Sequence, residues 1–506
     1  MTGPAPEPAG EPYNAAQDLL GRNGVPGRRE RPYLRTRARA ISYDEVIARA
    51  DGVAAAFGEL GLQRGDRVLL FMVDRPELVI AFWGAVKVGV VPVPVAPVWP
   101  VDDVRFMLAD SGARAIVCDE VTARLVRLLD LGATVPIVIG AAELPGALRW
   151  AERCAPGVAV AAAPTASDEI AFWVYTSGTT GAPKAVMHRH RSLRAAPRGL
   201  ATQVIRLDPE DRILPTVGMS FGYGLESAIY MPPAFGASVV IGDGPPRPEL
   251  LRRMVDHHAP TVLCSNAGFL AAYAATADAG LPSVRMAFSA GSRLPETFFE
   301  AFRARFGLPL LDGFGCTESM RVTVNRPDDA IAGSAGRPLD GYAIQIRDAA
   351  GAELVEGQSG ELWVTGPTLF AGYWRRDELT DKKRDGAWLR TGDHGHLRDG
   401  RFFHEGRLDD LMRISGVWVA PDEIEQVLSA HADVSGAAVT MGGEGARTLT
   451  ACIESSRTDE RLHEELREAC AARLPPFKVP RAFRTLAQLP RTATGKVRRR
   501  DLRGLA

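Results

Sequence analysis

The stretch Thr176-Ser177-Gly178-Thr179-Thr180-Gly181-Ala182-Pro183-Lys184 limits most what this chain can become. An apolar run over 170–175, rich in aromatic and β-branched residues, reads as a strand and opens directly into these hydroxyls and glycines. Backbone N–H groups in such a turn make an anion-binding concavity, glycines allow close approach, and the lysine adds a point charge. Together they describe a loop able to wrap a polyphosphate. It is not a Walker A loop, because Gly178 and Lys184 do not match G-x-x-x-x-G-K-[ST]. Taken alone, the pattern also fits a Gly/Thr surface turn with a solvated lysine.

The flanking chain alternates strand and helix. Ser42 and Glu45 form a capping-box pattern ahead of Val46, Ala50, Val53, Phe57 and Leu60, and Gly61 is the stop. A strand over 68–73 follows, then a helix opened by Pro76 and running to about 88, and a strand over 90–95. Asp102 is expected to cap a helix to 110, with a strand over 115–118. This alternation predicts a doubly wound, mainly parallel sheet. Residues 156–167 are a Pro/Ala/Thr-rich connector, and a second α/β stretch continues to about 325, with strands near 238–241, 261–264 and 285–289. From Gly341 the segments 343–347 and 361–365 alternate between Gly-rich turns, which predicts a small β-barrel-like unit. The tail after about 410 reads as compact α+β.

Composition narrows the partners. The 506 residues suggest roughly three folding units, 46% are apolar and 24% charged, and the net charge is −1. So even a balance creates no general field for nucleic acid or an anionic membrane, and neither is expected as a partner. The six cysteines lack CxxC or Cys/His ligand spacing, which fits reduced thiols in a cytoplasmic protein. Residues 1–12, rich in Pro, Gly and Glu without a basic start or apolar core, read as a disordered tail. The most apolar run, 82–99, is broken by Lys87, Pro92, Pro94 and Pro97 and is not a membrane span.

Five further signatures follow the Thr/Gly loop in order. They are Met219-Ser220-Phe221-Gly222-Tyr223-Gly224, Asp312-Gly313-Phe314-Gly315-Cys316-Thr317-Glu318, Arg390-Thr391-Gly392-Asp393, Gly406-Arg407-Leu408-Asp409-Asp410 with Ser415-Gly416, and Pro490-Arg491-Thr492-Ala493-Thr494-Gly495-Lys496. Their order and spacing resemble the acyl-adenylate-forming superfamily of acyl-CoA synthetases, peptide-synthetase adenylation domains and luciferases. Asn14-Ala15-Ala16, Phe221 to Leu225, Asn325-Arg326-Pro327 and Ser415 to Val419 are most similar to benzoate-CoA ligases.

The resemblance implies a large N-terminal domain over 13–408, made of two doubly wound αβ subdomains and a small β-barrel-like one, and a small mobile α+β domain over 409–506. It implies ATP and Mg²⁺ as cofactors and CoA, or the phosphopantetheine of an acyl carrier protein, as acyl acceptor for a small carboxylic acid. Thr176 to Lys184 would hold the β- and γ-phosphates and Thr317 the α-phosphate. Glu318 would bind Mg²⁺, and Asp312, Gly313 and Phe314 would line the adenine. Asp393 would accept the ribose hydroxyls, with Arg407 near the same sugar. Lys496 would reach the carboxylate and adenylate oxygens, Asp409 would be the hinge, and Gly416 would line the thiol channel.

In the benzoate-like group the acyl pocket is built around Gly222, Tyr223, Ala290, Gly291 and Gly315. Here Ser292 stands where many relatives have Glu, and Arg321 where benzoate ligases tend to have histidine. A buried arginine needs an anionic or hydrogen-bonding partner. Arg321 therefore points either to an acid with a polar ring substituent, such as a hydroxybenzoate, or outward to a salt bridge. His188 and His190 lack the further ligands of a metal site and read as packing and polar contacts. Cys316 reads as structural. The expected activity is an aryl-acid:CoA ligase working through an acyl-AMP. Two alternatives are an aryl-adenylating enzyme that loads a separate carrier protein and a non-catalytic nucleotide-binding regulator.

Overall fold

The computed structural model describes residues 10–157, 159–176, 182–276, 278–414, 417–442, 448–491 and 497–503. Ser177 to Gly181, Gly416 and Lys496, all singled out above, lie outside the described residues. Close packing divides the chain into two units, Met1–Ile344 with Val364–Leu389, and Gln345–Trp363 with Arg390–Ala506.

In the first unit the alternation builds two sheets with parallel cores. One has five strands, ordered Val91–Val95, Arg67–Phe71, Ala115–Cys118, Val135–Val138 and Leu148–Arg149, every neighbouring pair parallel. The helix Tyr43–Glu59 starts where the capping pattern predicts, with the Ser42 side chain accepting from the Glu45 N–H. The helix after the Val91–Val95 strand corrects one detail. It spans Val101–Ser111 with Pro100 at the cap position, so Asp102 makes no side-chain cap and sits in the first turn. A carboxylate there still complements the positive end of the helix dipole.

The other sheet has nine strands. Its parallel centre runs Ser238–Val240, Arg212–Pro215, Val262–Ser265, Met286–Ser289 and Leu310–Cys316. Beyond Leu310–Cys316 the chain turns back antiparallel as Met320–Val324 and then Arg337–Pro338. The strands that flank the Thr/Gly segment belong to neither sheet. These two, Ile170–Thr176 and Lys184–Arg189, pair antiparallel with each other, and Gly372–Tyr373 adds a third strand. Glu11 and Pro12 join the fold, Pro12 bridging to Ala166 and the Glu11 carbonyl accepting from the Ser167 N–H at 2.8 Å.

In the second unit, residues 393–398 pair antiparallel with Arg401–Arg407 inside a sheet that also holds residues 345–347 and 360–363. Further on, Gly436–Gly442, Thr448–Glu454 and Ala482–Leu486 form a three-stranded sheet. Ile424 and Leu428 of the helix Pro421–Ser429, with Leu462 and Leu466 of Glu460–Arg473, close its core. That is the α+β tail expected after about 410. All six cysteines are free thiols, five of them buried. Among the described residues no helix is long and apolar enough to cross a membrane.

Candidate active site

Thr176 and Lys184 are paired across the hairpin. The loop between them therefore connects two antiparallel strands, whereas a Walker A loop runs from strand into helix. Lys184 Nζ stands 4.6 Å from the centre of the Tyr373 ring. The Tyr373 hydroxyl donates to Glu318 Oε1 at 2.6 Å. Strand pairing brings Tyr373 to the hairpin, and the Phe370 N–H, donating to the Glu318 carbonyl at 2.8 Å, ties the Thr317-Glu318 turn to the same place. Burial pushes the Glu318 carboxyl up, but the Tyr373 hydroxyl and the Lys184 and Lys383 ammoniums outweigh it and hold it below the usual carboxylate range. An ionised carboxylate beside a lysine is chemistry suited to a divalent cation and phosphate oxygens. Among the described residues no cluster of three or more acidic, His or Cys groups forms a ready-made metal cage.

His188 supplies a second tie. Its Nε2 lies 2.7 Å from the Thr317 carbonyl, which can only accept, so Nε2 carries the proton. The buried ring stacks on Phe172 at 5.0 Å, and its Nδ1 has no partner. Charging that nitrogen would bury an unmatched N–H, and burial accordingly lowers the His188 pKa to about 4. A free histidine takes a proton below about 6.5, whereas His188 resists until about 4. Its contribution to stability is thus intact at neutral pH and lost as pH falls through that window, at about 1.4 kcal/mol per unit. His188→Phe, which keeps the stack, should flatten this slope. Urea midpoints of both proteins at pH 7, 6 and 5 check it, and parallel slopes would count against the assignment. His190 makes a similar polar contact, Nδ1 accepting the Ala15 N–H at 3.1 Å.

Close approach of strands explains the glycines of the Asp312 to Glu318 motif. A Cβ on Gly313 would stand 2.6 Å from the Thr323 carbonyl, and one on Gly315 2.4 Å from that of Met320. Both positions must be glycine for this hairpin, whatever ligand it meets. Phe314 lies between them, partly exposed. Burial pushes the Asp312 carboxyl up to about 8, against the Gly313 N–H and Arg321, and its Oδ1 is buried without a partner. Cys316 Sγ sits 3.2 Å from Ser319 Oγ, a polar contact within the turn.

Tyr223, Ala290 and Arg321 come together at the ends of the central strands. The Tyr223 hydroxyl donates to the Phe288 carbonyl at 3.3 Å, and Ala290 is buried just beyond the same strand, followed by Gly291 at φ +85°. Arg321 does not point outward. It is 6% exposed, its guanidinium lies 4.9 Å from the Tyr223 ring centre, and its anionic partner is Glu226, itself 4% exposed. Nε and Nη2 of Arg321 reach Glu226 Oε2 at 3.2 and 3.0 Å. Glu226 was not singled out in the sequence. Its signal was a lone charge ahead of Ala228-Ile229-Tyr230-Met231, an apolar run that argues for burial. Tyr373 had no comparable signal.

In the second unit, Asp393 pairs with Arg407 across the antiparallel ladder and is buried. His404 Nε2 lies 3.0 Å from Asp393 Oδ1, and Arg407 Nη1 is 3.5 Å from Oδ2. The Asp393 N–H donates to Thr391 Oγ1 at 3.0 Å. Asp393 thus stands among donors, and His404 is the member that sequence reasoning missed. Asp409 is exposed in the turn after Arg407.

These features, a hairpin-borne Thr/Gly loop, a lysine and carboxylate joined by a tyrosine, and a second unit carrying a ladder-paired aspartate, define a class. The chain matches the AMP-binding enzyme family over residues 23–374 and the AMP-binding enzyme C-terminal domain over 423–496. It belongs to the AMP-binding enzymes. Within them it is similar to a 3-hydroxybenzoate–CoA ligase of Aromatoleum sp. (strain CIB), 34% identical with 97% of each chain covered. It is also similar to a benzoate–CoA ligase of Thauera aromatica, 34% identical over 97% of this chain and 96% of the other. A solved anthranilate CoA ligase in complex with anthranoyl-AMP superposes with a TM-score of 0.91, at 29% identity, over 98% of this chain and 97% of the other.

Proposed function

We propose that this protein activates an aromatic carboxylic acid with ATP and passes the acyl group to the thiol of CoA. A carboxylate oxygen attacks the α-phosphorus, the bond to pyrophosphate breaks, and an acyl-AMP remains. The thiol sulfur then attacks the acyl carbon and AMP leaves. The observation that carries this reading is the convergence of Lys184 and Glu318 on Tyr373, in a chain whose full-length relatives are aryl-acid CoA ligases.

Adenylation joins two anions, so the site must cancel repulsion and stabilise charge on the α-phosphate. In this reading Thr176 to Lys184 hold the terminal phosphates, and the Thr317 hydroxyl serves the α-phosphate. Glu318 would hold Mg²⁺, which when bound would neutralise charge on the phosphates. The donor set fits, because Mg²⁺ is commonly bound by one or two carboxylates plus substrate phosphates. Asp312, Gly313 and Phe314 border the adenine, Asp393 and Arg407 the ribose. Gly222, Tyr223, Ala290, Gly291 and Gly315 border the aryl group. Free thiols, five of six buried, support a cytoplasmic setting.

ATP–pyrophosphate exchange across a panel of acids tests the first half, and free CoA against a holo carrier protein tests the second. Exchange with benzoate-type acids and acylation of free CoA are expected. No exchange with any aromatic acid would remove the reading.

The segment beyond Asp409 is proposed to rotate between the half-reactions, withdrawing Lys496 and bringing Gly416 to the thiol path. Asp409→Pro fixes φ at the hinge and is expected to keep pyrophosphate exchange while stopping thioester formation. Undiminished coupled turnover would refute the hinge.

A further inference from the structure

The Glu226–Arg321 pair is lopsided. Nε and Nη2 of Arg321 converge on Oε2, while the buried Oε1 accepts no hydrogen bond. The neighbouring tyrosines do not serve it: the Tyr230 hydroxyl faces Met320 Sδ at 3.8 Å, and the Tyr342 hydroxyl lies 2.6 Å from Thr368 Oγ1. A carboxylate oxygen out of water without a donor is costly, and a polar group brought by a ligand would relieve that cost. The pair also joins two walls of the aryl site proposed above. Arg321 stacks over Tyr223, and its Nη1 is 3.2 Å from where a Cβ on Gly313 would stand.

We propose that Glu226 is a specificity-determining residue, whose Oε1 accepts a hydrogen bond from a hydroxyl or amino substituent on the ring of the aromatic acid. Arg321 is its positioning residue, holding the other oxygen and fixing the rotamer. This rests on the aryl-acid reading and adds the substituent class. An ionised carboxylate only accepts, so substituents that are themselves only acceptors, such as a methoxy group, meet it unfavourably. Sites built to hydrogen-bond a substrate group discriminate strongly against analogues lacking it.

The test is kcat/KM in ATP–pyrophosphate exchange for benzoate and its ortho, meta and para hydroxy, amino and methoxy derivatives. At one ring position a hydroxyl or amino acid should exceed benzoate by roughly 10- to 100-fold, and the methoxy acid at that position should fall below benzoate. The hydroxy and amino arms tell the two donors apart. Glu226→Gln keeps the shape but, with its carbonyl drawn to Arg321, turns an amide N–H₂ toward the ring, so the donor-to-methoxy ratio should collapse or invert. Should that variant fold poorly, Glu226→Leu with Arg321→Met replaces the pair by apolar side chains and should bring the donor-to-benzoate ratio to one or below. A wild-type enzyme that prefers benzoate to every donor-bearing isomer, or a ratio unmoved in the double variant, overturns the proposal while leaving aryl activation standing. Exchange with no aromatic acid overturns both.

Discussion

Lys496→Ala is expected to lower acyl-AMP formation by roughly 10²–10³-fold, the usual cost of removing one group that stabilises transition-state charge. Transfer of the acyl group from preformed acyl-AMP to CoA should largely survive. The reason is local to the first half-reaction, in which a carboxylate must approach the polyphosphate and an ammonium offsets the negative charge that gathers between them. The described residues that flank the segment 492–496 are anchored. Arg491 and Val497 bridge antiparallel, and the Arg498 N–H donates to the Pro490 carbonyl at 2.8 Å. Arg499 reaches Asp410 at 3.2 Å, Asp422 at 3.1 Å and Glu425 at 2.7 Å, tying this end of the chain to the residue after the proposed hinge. In the proposed alternation the lysine serves one half-reaction and leaves for the other. Exchange measured against thioester formation from synthetic acyl-AMP separates the two steps, and equal loss in both would count against the role.

Arg321→Met is expected to destabilise the protein by about 3–5 kcal/mol, because it strands the buried Glu226 carboxylate without its cation. The same argument predicts recovery. Adding Glu226→Leu removes the orphaned charge, and replacing a buried ion pair by apolar groups of similar volume is often neutral or stabilising. The double variant should therefore regain most of the lost urea midpoint. A loss below about 1 kcal/mol in the single variant would show that the pair is not shut off from water, since exposed ion pairs contribute that little.

Legibility followed the range of the interactions. The helix over Tyr43–Glu59 and the strand Ala115–Cys118 were readable because caps, stops and apolar periodicity act within a few residues. The Asp102 cap failed by little: the helix begins at Val101, and a carboxylate in the first turn serves the dipole about as well as one at the cap. Arg321 could be recognised as odd from the chain alone, but its inward direction could not, because that depends on a partner far away in sequence.

The sequence by itself determined the α/β class, the order of the motifs and membership of the acyl-adenylate-forming enzymes, since each resides in contiguous residues whose spacing survives without a fold. Only the tertiary structure decided that Tyr373 joins Lys184 to Glu318, that His188 holds the Thr317 carbonyl, that His404 stands beside Asp393, and that Glu226 neutralises Arg321. Those partners meet through strand register and burial. Burial removes water as the alternative partner, so the pairing of a charge becomes a property of the fold rather than of its neighbours along the chain.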